Sequence, residues 1–416
     1  MNADVAAKAG AAKEAAPAVA RATGETRTEA LVAMAKGLID GAERILEANE
    51  ADLLQARSRG VAGALLDRLR LNERRVRAAS EGLLAVAGLP DPVGEIVEEW
   101  TRPNGLRIQK VRVPLGVVAV IYEARPNVTA DVAGLCIKSG NAVLLRGSSV
   151  ALNTNRSMVE ILSEAIVAAM LPQGSLQLIE DTSREAAADL MRAKGLVDLL
   201  VPRGGPELIA SVEQKAEVPY IIDGDGNCHV YVDRAAEPAT AREIVINAKT
   251  QRPGVCNAAE TLLVHRELSS SWLPPTLDAL AERGVEVRGD ETVQRLWSGA
   301  RPATDDDWGR EYLDLILAVR VVESLDEAIA HINRWGTSNA EAIVTQDAGA
   351  ARRFCDEVDS GTIFVNASTR FSDGGEFGYG AEIGISTQKL HARGPMGVRE
   401  LTTLKYLVWG EGQVRT

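Results

Sequence analysis

The sequence predicts an α/β protein made of two successive series of parallel strand–helix units. Three observations predict it. From residue 116 onward, short apolar runs of strand length alternate with longer helical patterns. A second series of the same texture opens at 229–233. The chain, at 416 residues, is long enough for two domains.

Taken in order, the chain opens with helices. Leu31, Met34, Leu38, Ile39, Ala42, Ile45 and Leu46 fall on one face of a helix over 25–49. Shorter helical patterns run to about Val86, where Leu89-Pro90 stops them, and the Arg-rich 68–77 reads as a solvated helix face. Residues 95–102 and 106–113 flank Pro103-Asn104-Gly105 and read as a hairpin on an Asn-Gly turn. Two strands bury too little to stand alone, so the ribbon either lies on its own domain or forms a contact between subunits. The first series then reads strand 116–122, helix 128–139, strand 141–146, helix 153–170, strand 176–180, helix 184–194, strand 196–201 and helix 207–214. The second reads strand 229–233, helix 243–251, strand 261–264, helix 326–334 and strands 342–345 and 362–365.

Four places look chemical. Arg252-Pro253-Gly254 breaks the helix 243–251, and Cys256 follows on a tight connection into a buried strand. Such a thiol is either a small buried hydrophobe or a nucleophile presented to a cleft. Asn127 stands where a strand gives way to a helix, and either caps that helix or aims its amide at a ligand. Arg146, Ser148 and Ser149 lie at a strand's carboxyl end, where open α/β sheets bind ligands, and a guanidinium with small hydroxyls suits a phosphate. Gly204-Gly205 before a helix either admits a pyrophosphate or makes a plain turn.

Composition excludes other classes. The net charge of −12 with no basic run argues against nucleic acid, and no apolar stretch approaches a membrane span. Lys8, Lys13 and Glu14 interrupt the Ala-rich start, so no signal-peptide core forms. Cys136, Cys228, Cys256 and Cys355 lie far apart, which fits a reducing cytoplasm and no metal site. The histidines, His229, His265, His331 and His391, are equally scattered.

Five runs carry a resemblance: 121–127 (IYEARPN), 201–205 (VPRGG), 251–257 (QRPGVCN), 366–380 (NASTRFSDGGEFGYG) and 391–395 (HARGP). Together they resemble the aldehyde dehydrogenase superfamily and, more narrowly, its gamma-glutamyl phosphate reductase family. The resemblance implies an α/β fold of two Rossmann-like domains with a β-hairpin oligomerisation arm. It places an NADP(H)-binding domain at 1–94 and 114–230, the arm at 95–113 and 400–416, and the catalytic domain at 231–399. By position it makes Cys256 the nucleophile and Asn127 the oxyanion amide. Arg146, Ser148, Ser149, Gly204, Gly205 and Glu311 become cofactor residues, with Ser149 standing near where NAD-preferring members keep a Glu. Arg125, Arg370, Gly384 and Ser386 become substrate residues, with Glu123 and Arg125 as well placed by sequence as Arg370.

One departure stands out. Members that hydrolyse their thioester carry a Glu base, whose position falls here at about Ile222, with Asp223 a shorter alternative. The implied reaction is NADPH-dependent reduction of L-glutamyl 5-phosphate in proline biosynthesis. A homo-oligomer and an association with the preceding glutamate kinase are implied partners. The rivals are another superfamily member, acting on a semialdehyde or a CoA thioester, and a non-catalytic NADP-binding scaffold.

Overall fold

The computed structural model describes residues 1–61 and 63–415; Ala62 and Thr416, in the expected cofactor domain and arm, lie outside them. The chain divides into two compact units, Met1–Ile222 with Gly378–Gly384 and Met396–Thr416, and Asp223–Phe377 with Ile385–Pro395.

The first unit begins with a helix absent from the sequence reading, Ala3–Arg21, capped by the Asn2 side chain on the N–H groups of Asp4 and Val5. Its Val5, Ala9, Ala12 and Ala16 join the core cluster of the first parallel sheet. The single helix expected over 25–49 is two, Gly24–Asp40 and Ala42–Ser58. Gly41 separates them where the chain passes against Ile161, and a Cβ at Gly41 would collide with that side chain. Leu31, Met34, Leu38 and Ile45 are buried as expected, whereas Ile39 is exposed.

Strands β1 (Ile96–Thr101) and β2 (Arg107–Pro114) form the hairpin, with Gly105 at φ 86 in its turn. The first sheet is all parallel: β3 (Val117–Tyr122), β4 (Ala142–Arg146), β5 (Leu176–Leu178) and β6 (Leu199–Arg203), in the order β5-β4-β3-β6. Its order reverses between β3 and β6, so the carboxyl ends of those two strands mark a topological switch point.

The second sheet is also parallel. Its strands are β7 (Cys228–Val232), β8 (Ala259–His265), β9 (Glu286–Gly289), β10 (Arg301–Pro302), β11 (Ile316–Val322), β12 (Ala340–Val344) and β13 (Thr362–Val365), in the order β10-β9-β11-β8-β7-β12-β13. A division at 230/231 would cut through β7, which is hydrogen-bonded to β8 and β12; the units part at Ile222/Asp223 instead. Strands β9 to β11 went unread. In β11 the apolar run is broken by Arg320, which pairs with Glu327 at 2.8 Å. A short pair, β14 (Ile385–Ser386) and β15 (Gly394–Pro395), follows. Finally β16 (Thr402–Trp409) pairs antiparallel with β2 along its whole length, giving the ribbon order β1-β2-β16. Among the described residues, no helix is long and apolar enough to cross a membrane, and no group of His, Cys, Asp and Glu could hold a metal.

Candidate active site

In the second unit, the thiol loop begins where the helix Pro238–Thr250 ends. That helix starts earlier than the sequence suggests, because Pro238 suits its first turn and the Glu237 carboxylate accepts from Ala239 and Thr240 N–H. Cys256 is half-buried. Its loop is braced on several sides. Asn257 Nδ2 donates to Ser372 O at 2.8 Å, and Thr369 Oγ1 donates to Asn257 O at 2.8 Å. The buried Cys228 thiol donates to Cys256 O at 3.2 Å. Gly226 packs so closely that a Cβ there would overlap the Cys256 carbonyl.

Glu311 bears on the same point: Gly226 N–H donates to its Oε1 at 2.8 Å. Burial pushes the Glu311 carboxyl up, the Gly226 N–H opposes this, and the Asp225 charge adds to it. Arg370 donates from Nε to Gln251 Oε1 at 2.9 Å. Burial pulls its guanidinium down; the Asp373 charge opposes, Arg252 adds to the fall, and Cys256 opposes. One cationic side chain, Arg370, is therefore close enough for its charge and that of the thiol to interact.

Asp223 takes the Ile385 N–H at 2.9 Å, so its carboxylate fastens the strand that carries Ser386. Ser386 is fully buried and its Oγ accepts from Gln388 N–H at 3.3 Å. The Ile385 amide is thus committed within the fold. Gly384 belongs to the first unit, where its carbonyl accepts from Met396 N–H at 2.9 Å.

In the first unit, the remaining candidates gather at the carboxyl ends of β3, β4 and β6. Asn127 is the first residue of the helix Asn127–Lys138, whose cap is Pro126, so it does not cap that helix. Its exposed amide instead donates to Asp131 Oδ2 at 3.3 Å. Burial raises the Asp131 carboxyl to about 6, with the Asn127 amide and the Arg203 charge opposing. Arg125 is half-buried in the same turn. Arg146 Nη2 donates to the carbonyls of Thr182 and Ser183, the latter at 3.0 Å. Ser148 Oγ accepts from Val150 N–H at 3.4 Å, and Ser149 is exposed. Between Arg146 and Ser148, a Cβ at Gly147 would strike the Asn155 amide and crowd the Tyr122 ring. Gly205 precedes the helix Pro206–Lys215, and its N–H donates to Glu123 Oε1 at 2.9 Å. That helix end already receives an anion.

Missed by sequence reasoning were Gly226, Cys228 and the Glu123–Gly205 contact. Each depends on strands far apart in sequence, and only the glycine offered any signal.

The aldehyde dehydrogenase family model matches residues 1–294 and 311–406. A gamma-glutamyl phosphate reductase from Moorella thermoacetica is 56% identical, covering 97% of both chains. One from Caldanaerobacter subterraneus subsp. tengcongensis is 53% identical, covering 99% of this chain and 100% of its own. The crystal structure of a gamma-glutamyl phosphate reductase from Thermotoga maritima superposes with a TM-score of 0.97 at 47% identity, covering 99% of this chain and 100% of the other. The chain belongs to the aldehyde dehydrogenase family and, within it, to the gamma-glutamyl phosphate reductases, and it is an oxidoreductase.

Proposed function

We propose that this chain reduces L-glutamyl 5-phosphate to L-glutamate 5-semialdehyde and phosphate with NADPH, through a thioester on Cys256, as the second step of proline biosynthesis. The observation that carries the reading is a half-buried thiol on a braced loop, in a chain whose relatives bear that activity's name along nearly their whole length.

The first unit's residues fit a dinucleotide phosphate, because Gly205 N–H already binds a carboxylate and Gly147 leaves the turn after β4 without a side chain. Arg146, Ser148 and Ser149 would hold the adenosine ribose with its 2′-phosphate, and Gly204-Gly205 the pyrophosphate, displacing Glu123. Glu311 is assigned to the nicotinamide ribose. When bound, the cofactor supplies the hydride.

The Cys256 thiolate attacks the acyl carbon and phosphate leaves, forming the thioester. After reduction, the tetrahedral oxyanion collapses, expels the thiolate and releases the semialdehyde. The Asn127 amide is the donor assigned to that oxyanion, and Arg370 favours the thiolate. For the substrate's carboxylate, Arg370 and Arg125 supply the cationic groups, and the Ser386 hydroxyl, which accepts from Gln388 N–H, keeps its own O–H as a donor. The ribbon β1-β2-β16, which exposes Tyr406, Val408 and Trp409, is assigned to contact between copies of the chain. Association with glutamate kinase and a cytoplasmic setting belong to the same proposal.

A thioester hydrolyses fast only when a base assists water, an effect of ~10²–10⁴. Here Ile222 is apolar and Asp223 is tied to Ile385. Phosphate, already anionic, needs no base. Run in reverse with glutamate semialdehyde, NADP and phosphate, the enzyme should therefore form NADPH rapidly only when all three are present. Full-rate production of free glutamate without phosphate would overturn the phosphorylating reading, and a requirement for CoA would point to a CoA-acylating enzyme.

A further inference from the structure

Behind the thiol loop lies an ion pair withdrawn from solvent. Lys249 Nζ stands 2.6 Å from Glu260 Oε2, and both side chains are 0% exposed. Lys249 sits in the last turn of the helix Pro238–Thr250, and Glu260 follows the first residue of β8. The pair therefore bridges the two stems of the loop that presents Cys256. Glu260 reaches further still: its other oxygen, Oε1, accepts the Leu313 N–H at 3.1 Å. Leu313 holds φ 55, a left-handed conformation that an L-leucine adopts only under constraint. Two residues earlier, Glu311 takes the Gly226 N–H, and Gly226 abuts the Cys256 carbonyl. One carboxylate thus connects the helix before the thiol, the strand after it, and the segment that carries Glu311.

Stability does not account for such a pair. Withdrawing two charges from water costs about as much as their attraction returns, and well-packed apolar residues of similar size often serve as well or better. What a buried pair supplies is directional: it accepts one arrangement of its neighbours and penalises the rest. Burial pushes the Glu260 carboxyl up and pulls the Lys249 ammonium down, each opposed by the other, as a dry site requires.

We infer that Lys249 and Glu260 are positioning residues, which hold the Cys256 loop and the Glu311 segment in one fixed relation without touching substrate. The inference rests on the reading of Cys256 as the nucleophile.

The test uses the full-length enzyme. Glu260→Gln keeps the shape but breaks the pairing; kcat should fall about tenfold with KM within about twofold, since small misplacement of a reacting group is costly. Iodoacetamide labelling, followed residue by residue by mass spectrometry, should show an altered rate at Cys256. The exposed Cys355 should label as before, and the buried Cys136 and Cys228 should stay protected. The double variant Lys249→Met/Glu260→Leu removes both charges. Its thermal midpoint should stand close to that of the unaltered enzyme while kcat remains about tenfold low. Recovery of kcat together with the midpoint would make the pair merely structural and overturn the inference. So would an unchanged kcat and Cys256 labelling rate in Glu260→Gln, which decides the matter if the double variant fails to fold. Cys256→Ser separates the two readings: turnover retained there removes the nucleophile, while labelling of Cys256 in Glu260→Gln still reports on the clamp.

Discussion

The thiol loop of the second unit and the strand-end turns of the first are built on opposite plans. Around Cys256 the backbone itself is gripped, by Asn257 and Ser372, by Thr369, by the Cys228 thiol and by the close approach of Gly226. At the ends of β3 and β4 the exposed side chains of Glu123 and Ser149 stand out from the turns, and only Gly147 is closely packed. Covalent chemistry needs an atom held to within a fraction of an ångström. Recognition of a flexible, charged ligand tolerates side chains that adjust as it arrives. The difference teaches where rate and where affinity should respond to substitution.

The largest effect belongs to the proposed nucleophile. Cys256→Ser should lower kcat by ~10⁴-fold or more, because a hydroxyl is far less ionised than a thiol at neutral pH, while cofactor binding measured by fluorescence titration stays nearly unaltered. Near-normal turnover in that variant would erase the contrast altogether. Next comes Gly226→Ala. Its Cβ would overlap backbone, so the loop must shift; a loss of ~10² in kcat with a retained fold, seen by circular dichroism, would sharpen the comparison. On the other side, Arg146→Ala should leave kcat with saturating cofactor close to unaltered and erode the preference for NADPH over NADH by roughly tenfold, the scale of one charged hydrogen bond. An unchanged ratio of kcat/KM values would place the 2′-phosphate elsewhere.

The smallest effect concerns Asp131, beside Asn127. Its carboxyl is raised to about 6, so the folded state favours the protonated form more than the unfolded state does. Its stabilising contribution is complete below about pH 4 and is lost as pH rises through about 6. Asp131→Asn should therefore raise the thermal midpoint slightly at pH 7.5 and less, or not at all, at pH 4.5. An equal shift at both values would show that the carboxyl titrates normally.

The same contrast explains what could be read from the residues alone. The alternation of β3 to β6 with their helices was legible because each strand is a short apolar run bounded by turn residues. Cys256 was legible because Pro253-Gly254 announces a break. The Ala3–Arg21 helix was not, since alanines give little amphipathic contrast, although Val5, Ala9, Ala12, Ala16 and Val19 keep helical spacing. The break at Gly41 depends on Ile161, and β11 is disguised by an arginine whose partner lies on the next helix. The exposed groups proposed to meet ligands carry recognisable motifs. The groups that brace the thiol, Gly226, Cys228 and Glu260, acquire meaning only when distant strands are brought together.

The pairing of β16 with β2 has a consequence for biosynthesis. Arg112 of β2 and Thr402 of β16 bond across a separation of 290 residues. At ~5–20 residues per second, the ribosome takes roughly 15–60 s to deliver the second strand after the first. For that interval the nascent hairpin offers an unpaired, partly apolar edge to other chains. Residues 223–377, which make up most of the second unit, emerge entirely within the gap and can close first. The amino-terminal unit is thus begun first and completed last, and the wait for its final strand leaves the edge of β2 open to mispairing.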